Sequence, residues 1–110
     1  MDIEIRAPNL TVSDYIRQRV ERGLEKVGNR AGGATTGLAR LSEDGAVRRV
    51  ELEVHASSRR EPIVGLGRGK HWGPAVTAAL QALQRQVGHL KGSRKAHVRR
   101  EAATRRVVGA

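Results

Sequence analysis

Basic side chains accumulate at the C-terminal end of this sequence in a pattern that suits contact with phosphate groups. Residues 85–110 carry eight lysines and arginines against one acidic residue, whereas residues 1–55 carry nine of each. Like charges repel one another, so an ordinary solvated face more often mixes the two signs. Lysine and arginine both contact phosphate, and arginine can do so through two parallel hydrogen bonds. The pattern predicts a nucleic-acid contact surface that comprises Arg85, His89, Lys91, Arg94, Lys95, Arg99 and Arg100.

A second group of basic residues follows helical spacing nearer the N-terminus. Arg19, Arg22 and Lys26 recur at i, i+3 and i+7, which places them along one edge of a helix. We predict that these three side chains also contact RNA phosphates. The alternative is a solvated helix face, because Glu21 and Glu25 mix the sign of charge in the same stretch.

Base stacking is not expected to contribute much to this recognition. The chain has one tyrosine, one tryptophan and no phenylalanine, whereas modules that stack successive unpaired bases need several aromatic rings on one surface. RNA binding should therefore depend on phosphates and on shape. We predict that Trp72 is a packing anchor, with base contact as the alternative.

No enzymatic, metal or cofactor site is predicted. The four histidines do not have the spacing of a metal cluster, and no Ser/His/Asp or paired-carboxylate arrangement is present. The stretch from Gly65 to Lys70 has alternating glycines but lacks the spacing of a phosphate-binding P-loop. We interpret it as the bent end of a strand.

Composition indicates one small domain of a cytoplasmic protein. The chain has 110 residues and no cysteine, which excludes a disulfide framework and thiolate metal sites. The N-terminus lacks the pattern of a signal peptide, and no apolar stretch is long enough to span a membrane.

The elements that position the basic residues can be read from hydrophobic periodicity. Alternation at Ile3 and Ile5 predicts a strand that ends before Pro8. Ser13 is a good N-cap for a helix that ends at Gly28-Asn29, and its apolar stripe is Ile16, Val20, Leu24 and Val27.

Three strands and a second helix follow. Strands are predicted over residues 35–41, 47–56 and 63–66, with a hairpin turn over residues 42–45. Pro74 suits the first turn of the second helix, and its apolar stripe is Val76, Ala79, Leu80, Leu83, Val87 and Leu90. The order β-α-β-β-β-α predicts a two-layer α+β domain with a mostly antiparallel four-stranded sheet and both helices on one face. We assign residues 1–91 to this domain and residues 92–110 to a basic, flexible tail.

Two local patterns in this order resemble the ribosome hibernation promoting factor / ribosome-associated inhibitor A family, also labelled sigma-54 modulation protein. The first follows the opening strand and runs into the first helix, with Asn9, Leu10, Val12, Ser13, Ile16, Arg17, Val20, Lys26 and Val27. The second lies in the second helix, with Ala75-Val76-Thr77, Leu83-Gln84-Arg85-Gln86 and His89-Leu90-Lys91. The resemblance covers about residues 1–95.

The resemblance implies a translation inhibitor that acts by occlusion, without a chemical step. Its expected partners are the ribosome and the rRNA of the small subunit, where it would occupy the mRNA and tRNA sites of the decoding region. The sequence lacks the additional dimerisation domain of long family members, so ribosome pairing through that domain is not expected.

The chain also departs from the family pattern. Gly23 replaces a common lysine of the first helix, Ala7 replaces a glycine, and Gly73 replaces a tyrosine. Arg68 and His71 stand where acidic residues are usual. The residues themselves leave two alternatives open, which are a general module for double-stranded or structured RNA and a regulator whose basic tail binds an acidic protein.

Overall fold

A computed structural model describes residues 1–57 and 60–89 of the chain, which form four strands and two helices. The elements in chain order are β1 (Asp2–Arg6), α1 (Asp14–Ala31), β2 (Ala34–Asp44), β3 (Val47–Ala56), β4 (Ile63–Gly69) and α2, described over residues 72–89. The predicted α+β order is confirmed.

The strands lie side by side in the order in which they occur in the chain. β1 pairs with β2 in parallel, and β2–β3 and β3–β4 are antiparallel. The parallel pair follows from the position of α1, because two parallel strands need a connection that crosses back over the sheet. The two antiparallel pairs need only short connections.

Helix α1 begins where the sequence predicts but ends later. The backbone N–H of Ile16 donates to the Ser13 hydroxyl at 3.2 Å, which satisfies one of the unpaired donors of the first turn. The predicted end at Gly28-Asn29 is wrong, since the helix continues to Ala31 and ends at Gly32, whose φ is 68°. Gly28 is instead buried within the helix. A Cβ there would lie 3.0 Å from the Met1 sulfur.

The β2–β3 hairpin is longer than predicted and its turn is tighter. The two strands pair up to Asp44 and Val47, so only Gly45 and Ala46 form the turn. Gly45 has φ of 61°, a conformation that glycine adopts without steric cost. The predicted turn over residues 42–45 is therefore wrong for Ser42, Glu43 and Asp44, which belong to β2.

Glycines on β4 bring α2 unusually close to the sheet. An ideal Cβ on Gly65 would lie 2.5 Å from the Ala79 carbonyl oxygen and 2.6 Å from the Leu83 nitrogen. A Cβ on Gly67 would meet the backbone of Ala75 and Ala79. The predicted strand end at residue 66 is wrong, because pairing with β3 continues through Gly69 without a register shift. Because they have no side chain, these glycines allow the strand to contact the helix backbone closely.

One apolar core joins the two helices to the sheet. Its fully buried residues come from α1 (Val20, Leu24), from β3 (Val50, Leu52, Val54) and from α2 (Val76, Leu83), among others. Within residues 1–57 and 60–89 no polar or charged residue is buried. The core therefore positions the surface residues and leaves any chemistry to the surface.

Trp72 packs against this core at the start of α2, as predicted. It is partly buried, and the Arg48 guanidinium lies 5.8 Å from the centre of its ring. Arg48 in turn forms an ion pair with Glu43 at 3.3 Å across the hairpin. The first turn of α2 is thereby attached to one end of the sheet.

We expect Gly67→Ala to destabilise the domain by about 1–3 kcal/mol, the usual cost of inserting a methylene group into a packed interface. The new Cβ would meet backbone atoms of α2, which can move only if the whole helix moves. Urea denaturation measures the loss as a fall in the free energy of unfolding.

Gly88→Ala is the matched control, because it makes the same chemical change in open space on α2. It should leave the free energy of unfolding unchanged or raise it by up to about 1 kcal/mol, since alanine favours a helix more than glycine does. Equal stability of the two variants would contradict the close-contact role of Gly67.

Candidate nucleic-acid interface

The two helices lie side by side and run in the same direction. Arg19 of α1 bonds to the first turns of α2, and an ideal Cβ on Gly23 would lie 2.5 Å from the side chain of Leu80. Residues later in α1 therefore contact residues later in α2, as in two parallel helices. Gly23 allows this close approach because it has no side chain.

Arg19 connects the helices through its guanidinium group. Nη1 donates to the Gly73 carbonyl at 3.1 Å, and Nη2 donates to the Thr77 hydroxyl at 2.8 Å. The side chain is half-buried, and its partners are 54 and 58 residues away in sequence. No local pattern could have predicted this bridge. A contact between Arg19 and RNA stays a prediction.

Arg22 and Lys26 are exposed one helical turn apart on α1. They share the helix edge of Arg19, which contacts α2, so they border the junction between the two helices. Neither forms an ion pair within residues 1–57 and 60–89. Like charges at this spacing weaken a helix slightly, so their proximity gives no structural benefit.

Arg85 and His89 occupy the exposed side of α2, also one turn apart. Arg85 lines a cavity of about 320 Å³ together with Gln81 and Gln84. Since Gly23 is level with Leu80, Lys26 is level with residue 83, and Arg85 lies just beyond it. From Arg22 to His89 the basic groups extend roughly 15 Å along the helix axis, at about 1.5 Å per residue.

The remaining predicted contacts lie outside the described residues. They are Lys91, Arg94, Lys95, Arg99 and Arg100, together with the tail assigned to residues 92–110. The helical members Arg22, Lys26, Arg85 and His89 are all exposed on the two helices.

Charges on the outer face of the sheet are mostly paired, unlike those on the helices. Arg6 bonds to Glu4 at 2.9 Å, and Arg40 lies 3.2 Å from Glu53 and 3.7 Å from Glu51. The hydrogen bond from Arg6, reinforced by its charge, lowers the pKa of the Glu4 carboxyl. A lowered pKa means that the pair contributes stability above the ordinary pKa of glutamate, and that this contribution is lost as pH falls through the lowered value.

The histidines are dispersed. His71 and His89 are exposed, and His55 lies on the outer face of the sheet, 3.4 Å from Glu53. In the described part of the chain no three His, Cys, Asp or Glu residues are arranged to hold a metal ion. No helix in that part is long and apolar enough to cross a membrane.

These features define a class: a two-layer α+β domain with an apolar core and unpaired basic groups along its helical layer. The family profile of the sigma 54 modulation protein / S30EA ribosomal protein matches residues 3–95. The chain belongs to this family, as the resemblance predicted. It is therefore a member of a family of ribosome-associated hibernation factors, which is not known as a family of enzymes.

Solved structures share the fold. A ribosomal subunit interface protein from Coxiella burnetii is similar with a TM-score of 0.73 and 14% identity, over 84% of this chain and 99% of that chain. The N-terminal domain of Thermus thermophilus Protein Y is similar with a TM-score of 0.67 and 24% identity, over 82% and 99% of the two chains. No curated protein matches the sequence.

We expect Arg19→Met to lower the free energy of unfolding by about 1 kcal/mol, because hydrogen bonds from a charged donor are among the stronger ones. Methionine keeps much of the apolar stem but cannot donate to Gly73 or Thr77. Arg22→Met is the control on the same helix edge, and it should change stability by less than about 0.5 kcal/mol. If urea denaturation gives an equal fall in the free energy of unfolding for both variants, the bridge between the helices contributes nothing to stability.

Proposed function

We propose that this protein binds the small ribosomal subunit and occupies its decoding region, where it blocks the mRNA and tRNA sites. It acts in the cytoplasm as a translation inhibitor or hibernation factor. The match to the family over residues 3–95 carries the proposal. The two similar structures, a ribosomal subunit interface protein and the N-terminal domain of Protein Y, agree with it.

The basic residues of the helical layer are the proposed contacts. Arg22, Lys26 and Arg85 are exposed and have no ion-pair partner within the described ranges. They lie along two parallel helices that the glycine contacts hold rigidly on the sheet. Such a surface follows an RNA backbone by charge and shape, which suits a chain with two aromatic residues.

Inhibition requires only that the domain fill space that mRNA or tRNA would occupy. A rigid body held by several phosphate contacts can do this without bond making or breaking. The basic residues that follow residue 89 in the sequence, such as Arg94 and Lys95, are proposed to extend the same contact. Residues 1–91 would then act as the occluding domain and residues 92–110 as an additional basic arm.

The purified protein should sediment with small ribosomal subunits, and its affinity should fall steeply with salt. If about six phosphates are neutralised, affinity falls on the order of a thousandfold between about 50 and 200 mM salt on the scale of duplex DNA. Free duplex RNA in excess should not displace it. Displacement by duplex RNA would favour a general RNA-binding module, and binding that survives nuclease treatment would favour an acidic protein partner.

Single substitutions should identify the contacts. Arg22→Gln, Lys26→Gln and Arg85→Gln should each weaken subunit binding and reduce the slope of log K against log salt by about one unit, as loss of a phosphate contact does. Arg17→Gln is the matched control, because it removes the same charge from an exposed position on the other side of α1. If Arg17→Gln weakens binding equally, net charge rather than this surface is responsible.

A further inference from the structure

Two arginines stand side by side on the outer face of the sheet. Arg49 of β3 and Arg68 of β4 are Cα partners across the antiparallel pair, and both are exposed. Their neighbours Val50 and Gly67 are buried on the helix side, so both arginine side chains project outwards. Directly opposed residues have Cβ atoms about 5 Å apart.

This pairing costs stability, and no ion pair within residues 1–57 and 60–89 offsets it. Like charges directly opposed across a sheet repel each other. Neither arginine forms an ion pair there, whereas Arg6 and Arg40 on the same face each pair with a glutamate. Glu51, the acidic residue nearest to Arg49 along β3, lies 3.7 Å from Arg40.

The surroundings of the pair suit a sugar–phosphate backbone. Ser42, the partner of Arg49 on β2, supplies an exposed hydroxyl. Arg49 and Ser42 also line a cavity of about 330 Å³ at this end of the sheet, together with Arg6, Arg40 and Glu51, so three arginines face one carboxylate there. Leu66, next to Arg68 on the outer face, is 40% exposed and offers an apolar contact. Two guanidinium groups, a hydroxyl and an open apolar side chain can together hold phosphate oxygens and ribose.

The surface lies on the opposite side of the domain from Arg22, Lys26 and Arg85. A helix with its side chains is about 10–12 Å thick, and the sheet adds a second layer. One stretch of RNA backbone bound on the helices therefore cannot also contact Arg49 and Arg68 without bending around the domain.

We propose that Arg49 and Arg68 form a second contact surface for the RNA phosphate backbone, so that the domain is held between two separate RNA segments. The inference rests on the proposed function, since it takes ribosomal RNA as the ligand. It adds a surface that the sequence patterns did not predict, because only the strand register brings two residues 19 positions apart into direct opposition.

Arg49→Gln and Arg68→Gln in the full chain test the proposal. Each should weaken binding to small ribosomal subunits about as much as Arg22→Gln, and each should reduce the slope of log K against log salt by about one unit. Each should also raise the melting temperature, because it removes a repulsion. Arg17→Gln, which removes the same charge elsewhere, should leave the affinity nearly unchanged.

Arg68→Glu provides a second, stronger test. It places a carboxylate opposite Arg49, so the melting temperature should rise above that of Arg68→Gln while binding becomes weaker still. RNA footprinting should then show that one of two separate protected segments is lost in this variant and that the other remains.

The failures of the two proposals are distinguishable. If Arg49→Gln and Arg68→Gln bind normally while Arg22→Gln binds weakly, the second surface is excluded and the proposed function stands. If the unmodified protein does not sediment with small ribosomal subunits, the proposed function itself fails. If it does sediment and none of the three substitutions weakens binding, both contact assignments fail. If Arg49→Gln and Arg68→Gln lose affinity for a nuclease-treated protein fraction but keep their affinity for RNA, the two arginines bind an acidic protein. That result would overturn the inference.

Discussion

The close contact between α2 and β4 is the constraint on which the rest of this structure depends. Gly65 and Gly67 present bare backbone to the helix, and Ala75 and Ala79 approach them with small side chains of their own. A helix held at this distance has little freedom to slide or rotate, because packed backbone atoms cannot adapt as a flexible side chain would. The direction in which Arg85 projects is thereby determined.

The bridge from Arg19 and the contact of Gly23 with Leu80 transmit this constraint to α1. Together they hold the two helices in one layer, so the backbone positions that carry the basic residues are fixed relative to each other. Such preorganisation favours binding, because less side-chain and backbone freedom is lost when the ligand arrives. The apolar interior therefore holds the helices and strands in position, and the charged residues lie on the surface, where they are available for contact.

Much of the fold could be predicted from local patterns. The N-cap at Ser13, the apolar stripe of α1 and the alternation in β3 each depend on neighbouring residues, and each prediction is confirmed. The errors share one physical origin. Helix α1 passes Gly28, and β4 continues through Gly67, because contacts with distant segments outweigh the local tendency of glycine to end an element. The presence of a glycine does not by itself show whether it ends an element or allows close packing within one.

The sequence by itself determined the class of fold, the accumulation of basic residues and the family, because these depend on composition, periodicity and ordered motifs. Only the tertiary structure decided which charges meet. It gave Arg19 partners on α2, paired Arg40 with glutamates and placed Arg49 beside Arg68. Such encounters depend on strand register and on how the helices pack, and a one-residue change of register would move every strand side chain to the other face.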